Sequence, residues 1–242
     1  MSEMRRGTDL GENQTAANFV ADANNSNIKQ ALIIVDIQND FCPGGSLAVT
    51  GGDGIVELTN SLAEQFSAVG DLVLATQDWH PADHGSFASQ HKGVTVGEMG
   101  ELSGLPQVFW PDHCIAETQG AEFHPNLKAE LIDVVFRKGT DRRIDSYSGF
   151  YDNDHASSTG LAEFLRTEGV TDVVVVGLAT DYCVLATALD ALTEGFAVTV
   201  ISDACRAVNI SPDDGRQALK RLEEAGVQIV DSSRFGSDRI VS

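Results

Sequence analysis

The chain has 242 residues, of which 42% are hydrophobic and 21% are charged. This composition provides a large core for one or two domains and excludes a chain that is disordered throughout. Thirty-six acidic residues against 16 lysines and arginines give a net charge of −20. Such a surface repels phosphate backbones and anionic lipids, so we expect neither nucleic acid nor membrane as a partner. Solubility or a salt-adapted source could explain the charge. The sequence does not determine the oligomeric state, and a homo-oligomer is one of the alternatives.

The chain has no apolar run long enough to cross a bilayer and no apolar segment typical of a secretory signal near its start. We therefore expect a cytoplasmic protein whose four cysteines are free thiols. Residues 1–28 are polar and lack periodicity, which predicts a disordered or loosely held extension. Residues 29–242 are predicted to form a single domain.

Apolar runs and helical patterns alternate from residue 30 onward. Strands are predicted at 31–35, 72–75, 131–136, 173–176, 196–201 and 227–230. Helices are predicted after Asp53 as a cap, at 161–168, at 181–194 and after Ser211 as a cap. This alternation predicts an α/β fold with three layers, in which a doubly wound, mostly parallel six-stranded sheet carries helices on both faces. Segment 78–130 has no assignment, and its length is typical of a functional loop.

Polar side chains follow several of the predicted strands. Asp36, Asp78 and Lys138 each come just after a strand, and Cys183 lies a few residues past a fourth. Ligands of open parallel sheets bind beyond the carboxyl ends of the strands. The sequence therefore predicts that these four residues share one site, although they are far apart along the chain.

Cys183 has the features of a nucleophile. It follows a tight turn at residues 177–179, Thr180 is available to cap the next helix, and the thiol falls in that helix's first turn. Backbone N–H groups and the helix dipole stabilise a thiolate there, and the same amides could form an oxyanion hole. The alternative is an inert thiol packed in the core.

Asp36 and Lys138 complete a coherent set with this thiol. Asp36 ends an aliphatic strand, so burial should make it a better proton acceptor than a surface acid. Lys138 would stabilise the neighbouring anions. Each also has an ordinary interpretation, because Asp36 could brace a loop and Lys138 could be a solvated surface lysine.

A metal site is a further hypothesis. Asp78 and His80 are two residues apart and would point the same way in an extended segment, and His113 is the candidate third ligand. The short Asp-x-His pattern is weak alone. The remaining histidines are expected at surface or structural positions, although His84 is close enough in sequence to approach the metal. Cys114 is not expected to form a dyad with its neighbour His113.

Six segments of the chain match, in order, the motifs of one family. They are Ile34-Val-Asp36-Ile-Gln-Asn-Asp40-Phe41, Thr76-Gln-Asp78-Trp-His80-Pro, Trp110-Pro-Asp-His113-Cys, Phe136-Arg-Lys138-Gly, Tyr147-Ser-Gly-Phe150 and Gly177-Leu-Ala-Thr-Asp181-Tyr-Cys183-Val. On these segments, residues 30–231 resemble the nicotinamidases, or pyrazinamidases, of the isochorismatase-like cysteine hydrolase superfamily. The insertion at 141–143 and both terminal extensions fall outside the shared pattern.

The resemblance implies a role for each matched residue. The catalytic triad would be Asp36, Lys138 and Cys183, and one divalent ion, Zn, Mn or Fe, would be held by Asp78, His80 and His113. A cis peptide between Leu178 and Ala179 would aim the amides of Ala179 and Cys183 at the substrate oxygen. The substrate ring would lie between Phe41 and Trp110, with Tyr147 closing over it.

The implied reaction is hydrolysis of nicotinamide to nicotinate and ammonia, a step of NAD salvage, through a Cys183 thioester. Pyrazinamide is an expected second substrate. Alternatives are a related cysteine hydrolase acting on a ureido or carbamoyl amide, an isochorismatase, and a non-catalytic protein that binds a small ligand. A nucleotide-binding dehydrogenase is disfavoured, because no glycine fingerprint follows the first strand.

Overall fold

The computed structural model describes residues 29–239. The extension predicted at 1–28 lies outside the described residues. Eight strands are present: β1 (Gln30–Val35), β2 (Leu72–Asp78), β3 (Met99–Leu102), β4 (Leu105–Val108), β5 (Val134–Lys138), β6 (Asp172–Leu178), β7 (Ala197–Arg206) and β8 (Gln228–Val230). Six of them form a parallel sheet in the order β5-β2-β1-β6-β7-β8.

Among residues 29–239, five α-helices flank this sheet: α1 (Val56–Val69), α2 (Leu161–Thr167), α3 (Leu185–Thr193), α4 (Asp214–Ala225) and α5 (Ser232–Arg239). Alternation along β1 divides its buried side chains between two cores. Leu32 and Ile34 join the core that contains α1, whereas Ala31 and Ile33 join the core that contains α2 and α3. The predicted three-layer fold is confirmed. Within residues 29–239, no helix has the length and apolar character needed to cross a membrane.

The three predicted helix caps are wrong. Asp53 lies inside a 3-10 turn, Gly52–Ile55, and α1 has no side-chain cap. A π-helical turn, Thr180–Val184, precedes α3, and the residue before that turn is Ala179, so Thr180 caps nothing. Before α4, the backbone N–H of Ser211 donates to the carboxylate of Asp214, the reverse of a serine cap. Asp53 and Ser211 each lie three residues before the first residue of the helix, and Thr180 lies five residues before α3.

Several strand bounds also differ from the expectation. The third predicted strand starts at Val134 instead of residue 131, because Ala129–Leu131 forms a 3-10 turn. Parallel pairing extends β2 to Asp78 and β7 to Arg206, since Asp78 pairs with Lys138 and Leu178 with Arg206. These strands are therefore longer than their apolar runs.

The unassigned segment 78–130 folds over the carboxyl edge of the sheet. It contains the antiparallel hairpin β3–β4 and two isolated bridges, His80 with Ile115 and Phe87 with Trp110. These pairings join the start of the segment to its middle. The result is a wall beside the strand ends, which the chain's local patterns did not predict.

Candidate active site

The four residues expected to share a site do meet at the carboxyl edge of the sheet. Asp36 follows β1 with a φ of 48°, and Asp78 and Lys138 are the last residues of β2 and β5. Cys183 lies in the π-helical turn between β6 and α3. Three neighbouring strands and one turn therefore converge on the same point.

Lys138 is the centre of this cluster. Its Nζ lies 3.0 Å from Asp36 Oδ2, 2.5 Å from Asp78 Oδ1 and 3.5 Å from Cys183 Sγ. It also donates to the Ser146 carbonyl at 2.9 Å, and its side chain is 0% exposed. This lysine is not the solvated surface residue that the sequence left open.

The charges of the cluster are set by burial and by these contacts. Burial raises the pKa of Asp36 to about 6, against the opposing effect of the Lys138 ammonium. Burial alone would lower the pKa of Lys138, but the carboxylates of Asp36 and Asp78 hold that pKa well above its ordinary value. At neutral pH the cluster therefore contains a charged lysine and an ionised Asp36.

The surroundings of Cys183 favour the protonated thiol over the thiolate. Burial raises the pKa of Cys183 well above its ordinary value, and the nearby Lys138 ammonium offsets this only in part. The predicted stabilisation of a Cys183 thiolate by backbone N–H groups and a helix dipole stays a prediction. A carboxylate beside a thiol is an acceptor for the thiol proton.

At two positions of the site, glycine allows a neighbouring group to approach the backbone closely. At Gly177 a Cβ would lie 2.1 Å from the Val35 carbonyl oxygen, so only glycine lets β6 approach the end of β1 here. Gly139 has a φ of +64°, and a Cβ there would lie 2.3 Å from the His80 ring. The peptide between Leu178 and Ala179 is cis, as the family resemblance implied.

Asp78, His80 and His113 form a buried group whose ligand atoms all lie within 4.8 Å of one another. His80 Nδ1 donates to the Gly139 carbonyl at 2.8 Å, and His113 Nδ1 donates to the Pro111 carbonyl at 2.7 Å. These bonds leave each Nε2 with its lone pair, the arrangement that metal-binding histidines use. The donor set of two imidazoles and one carboxylate fits a divalent transition metal.

His84 lies beside this group, with its ring 4.3 Å from that of His80. Its Nδ1 is 2.7 Å from Ser86 Oγ, and its Nε2 is 3.1 Å from the Ile144 carbonyl. Because a carbonyl oxygen only accepts, Nε2 carries the hydrogen and Nδ1 accepts from the serine. Both nitrogens are thus engaged with protein groups, in agreement with a structural histidine.

A cavity lies next to the cluster, and Cys183 is part of its lining. Phe41, Trp110 and Tyr147, the residues that the resemblance assigned to ring binding, all line it, as do Ala179 and Cys183. Trp110 Nε1 lies 3.2 Å from the Tyr147 hydroxyl and donates to it. The cavity is therefore lined by aromatic side chains and by the thiol of Cys183.

Four further residues line the cavity without having been predicted: Leu47, Asp145, Tyr182 and Val208. Tyr182 packs edge-on against both Trp110 and Tyr147, at 4.9 and 5.4 Å between ring centres. Its position beside Cys183 was the one signal that could have found it. Asp145 Oδ2 accepts a hydrogen bond from Gln107 Nε2 at 2.8 Å, a contact between a loop and the distant strand β4 that no local pattern indicates.

This geometry combines three chemical capabilities. It offers a thiol with an adjacent proton acceptor, a cation that stabilises nearby negative charge, and a group of metal ligands opening on the same cavity. The cavity is lined largely by apolar and aromatic side chains. Attack on an activated carbonyl of a small aromatic substrate is the chemistry that such a site supports.

Comparison with known proteins agrees with this geometry. The isochorismatase domain model matches residues 30–234. A nicotinamidase of Escherichia coli (strain K12) is 50% identical over 200 residues, which cover 83% of this chain and 93% of the relative. The likeness therefore spans most of both proteins.

Solved structures give the same result. A nicotinamidase/pyrazinamidase of Acinetobacter baumanii superposes with a TM-score of 0.81 at 43% identity, over 86% of this chain and 98% of the other. The pyrazinamidase of Pyrococcus horikoshii in complex with zinc gives 0.70 at 39% identity, over 84% and 99%. The PnC1 protein of L. infantum in complex with nicotinate gives 0.71 at 36% identity, over 85% and 93%. The chain therefore belongs to the isochorismatase family and, within it, to the nicotinamidase/pyrazinamidase group.

Proposed function

We propose that the protein hydrolyses nicotinamide to nicotinate and ammonia, and pyrazinamide in the same way, with Cys183 as nucleophile. The observation that carries this proposal is the buried contact of Lys138 with Asp36 and with Cys183, the last of which lines an aromatic cavity. Relatives named nicotinamidase, and a relative that binds nicotinate, support a pyridine carboxamide as substrate.

The proposed reaction begins with a proton transfer. Asp36 accepts the thiol proton as Cys183 Sγ attacks the carboxamide carbon, and Lys138 stabilises the charges of both residues. The C–N bond then breaks, and the proton held by Asp36 goes to the departing amine, which leaves as ammonia. Water hydrolyses the resulting thioester, giving the carboxylate product and restoring the thiol.

The substrate would be held by residues on three sides of the cavity. Phe41 and Trp110 flank the flat ring, and Tyr147 covers it. The backbone amides of Ala179 and Cys183 would donate to the carbonyl oxygen as negative charge develops on it. Leu47 and Val208 add apolar surface that excludes water. An aromatic ring fits this lining better than a ureido group does.

A divalent metal would be held by Asp78, His80 and His113, and zinc is supported by the Pyrococcus horikoshii relative. Bound there, it would supply a Lewis acid that helps to orient the substrate. The Nδ1 hydrogen bonds of His80 and His113 keep both rings aimed at the group. Mn and Fe suit the same donors, so metal analysis of the purified protein decides among them.

The substrate is tested by measuring ammonia release from nicotinamide, pyrazinamide and a carbamoyl amide at equal concentration, with and without chelator. Rapid release from the two ring carboxamides, lost on chelation and restored by added Zn²⁺, is the expected result. Release from the carbamoyl amide alone would replace the proposed substrate with that class. No release from any of them by metal-loaded protein would favour a binding protein.

A further inference from the structure

The side chain of Gln38 occupies a gap in the sheet beside the site. The backbone pairing of β1 with β2 ends at Ile34 and Ala75, and Asp36, with a φ of 48°, turns the chain away from the sheet. β2 continues to Asp78, which pairs with Lys138 of β5 on its other edge. The backbone N–H and carbonyl of Asp78 on the side facing β1 therefore lie past the last β1–β2 backbone pair.

Gln38 supplies the missing bonds with its side-chain amide. Its Oε1 accepts from the Asp78 backbone N–H at 2.8 Å, and its Nε2 donates to the Asp78 carbonyl at 2.8 Å. The second Nε2 hydrogen goes to the Ala121 carbonyl at 2.9 Å, and Gln38 is 0% exposed. The three partners fix which end of the amide is oxygen, because an N–H only donates and a carbonyl only accepts.

Asp78 is the residue whose placement matters most here. Its Oδ1 contacts the Lys138 ammonium, while its Oδ2 lies 3.7 Å from His80 Nε2 in the metal-ligand group. The Asp78 carboxylate therefore links Lys138, the cation beside the Cys183 thiol, to the group of metal ligands. A small rotation of the Asp78 peptide would move both oxygens at once.

We propose that Gln38 is a positioning residue. It holds the Asp78 peptide so that one carboxylate oxygen of Asp78 contacts Lys138 while the other stays in the metal-ligand group beside His80. The inference rests on the proposed function for its link to turnover. Its link to metal binding stands on the three hydrogen bonds alone. Partners of metal ligands commonly change metal affinity by about 10- to 100-fold when they are removed.

Glutamine is suited to this role because it carries two donors and an acceptor without a charge. Glutamate at this position could not donate to the carbonyls of Asp78 and Ala121. It would also add a third carboxylate next to Asp36 and Asp78. Methionine has a similar shape but makes none of the three bonds, so it removes the bonds with little change in packing.

The test compares Gln38→Met with Gln77→Met in the full-length protein. Gln77 is a matched control, because it is also buried and also donates to the Ala121 carbonyl, at 2.9 Å, but its side-chain bonds do not reach the Asp78 peptide. The first readout is Zn²⁺ affinity, measured by competition with a chelator. The second is the visible absorption spectrum of Co²⁺-loaded protein, which reports ligand geometry.

We expect Gln38→Met to weaken Zn²⁺ binding by about tenfold or more and to shift the Co²⁺ bands. It should also lower kcat for nicotinamide more than it raises KM, because the ring-binding walls are untouched. Gln77→Met should stay within about threefold of the unchanged protein in all of these. Gln38→Asn, whose shorter amide cannot reach both partners, should behave as Gln38→Met does and replaces it if that variant does not fold.

Wild-type Zn²⁺ affinity and an unshifted Co²⁺ spectrum in a folded Gln38→Met or Gln38→Asn protein would overturn the proposal. Equal losses in Gln38→Met and Gln77→Met would do the same, because they would point to the shared Ala121 contact. The metal readouts need no substrate. Failure of the proposed function, seen as no ammonia release by the unchanged protein, is therefore distinguishable from failure of this inference.

Discussion

Replacing Lys138 by methionine removes the ammonium that separates two buried carboxylates. Asp36 and Asp78 are 0% and 5% exposed at their side chains, and each is paired with Lys138 Nζ. Breaking a buried ion pair by removing one partner costs about 3–5 kcal/mol, because a charge is left buried without compensation. We expect a loss of that size in the free energy of unfolding at pH 8.

The loss is measured by urea unfolding of metal-free protein in chelator, because a bound cation would compensate for the carboxylates. Without Lys138, Asp36 and Asp78 titrate at higher pH in the folded protein than in the unfolded chain, so the variant gains stability as the pH falls. The difference from the unchanged protein should therefore be smaller at pH 5 than at pH 8.

Lys128→Met is the control for this experiment. Lys128 pairs with Glu64 at the surface, where the two side chains are 45% and 53% exposed. Such pairs contribute at most about 1 kcal/mol, so this variant should unfold nearly as the unchanged protein does. The reasoning is refuted if Lys138→Met loses no more stability than Lys128→Met, or if its loss grows as the pH falls.

Two further predictions concern the proton acceptor and the metal ligands. Because the pKa of Asp36 is raised to about 6, kcat/KM for nicotinamide should fall about tenfold per pH unit below that value; a rate that stays flat to pH 5 would contradict this role. Gly139→Ala would place a Cβ 2.3 Å from the His80 ring, so the purified variant should contain less metal by atomic emission spectroscopy. Gly104→Ala is the control, because Gly104 also has a positive φ, +82°, but no described atom lies within 4 Å of the position of an added Cβ. An equal metal loss in this variant would argue against the contact with His80.

The sequence predicted which residues meet at the site, because parallel topology does much of the positioning. Once β1, β2 and β5 are recognised as neighbouring parallel strands, residues at their carboxyl ends must lie on one edge. Asp36, Asp78 and Lys138 satisfy that condition, and Lys138 contacts both acids. The roles of the ring-binding residues came from family motifs, because their loops have no periodic pattern.

The remaining features depend on contacts between distant segments. Asp145 enters the cavity on a loop held by Gln107 of β4, and Val208 is held by its backbone N–H bond to the Asp181 carboxylate. Gln38 reaches Asp78 only because the chain turns at Asp36. The rise in the pKa of Cys183 likewise follows from its burial, which a helix-start motif does not reveal.

The central claim is that Cys183 attacks the substrate, and Cys183→Ala tests it most directly. Ammonia release from nicotinamide is measured for metal-loaded Cys183→Ala and for Cys42→Ala, whose buried thiol packs in the core that contains α1. We predict that Cys183→Ala keeps its fold and metal but loses at least about a thousandfold in rate, while Cys42→Ala stays active. A folded, metal-loaded Cys183→Ala protein that releases ammonia at a rate comparable to Cys42→Ala would contradict the account.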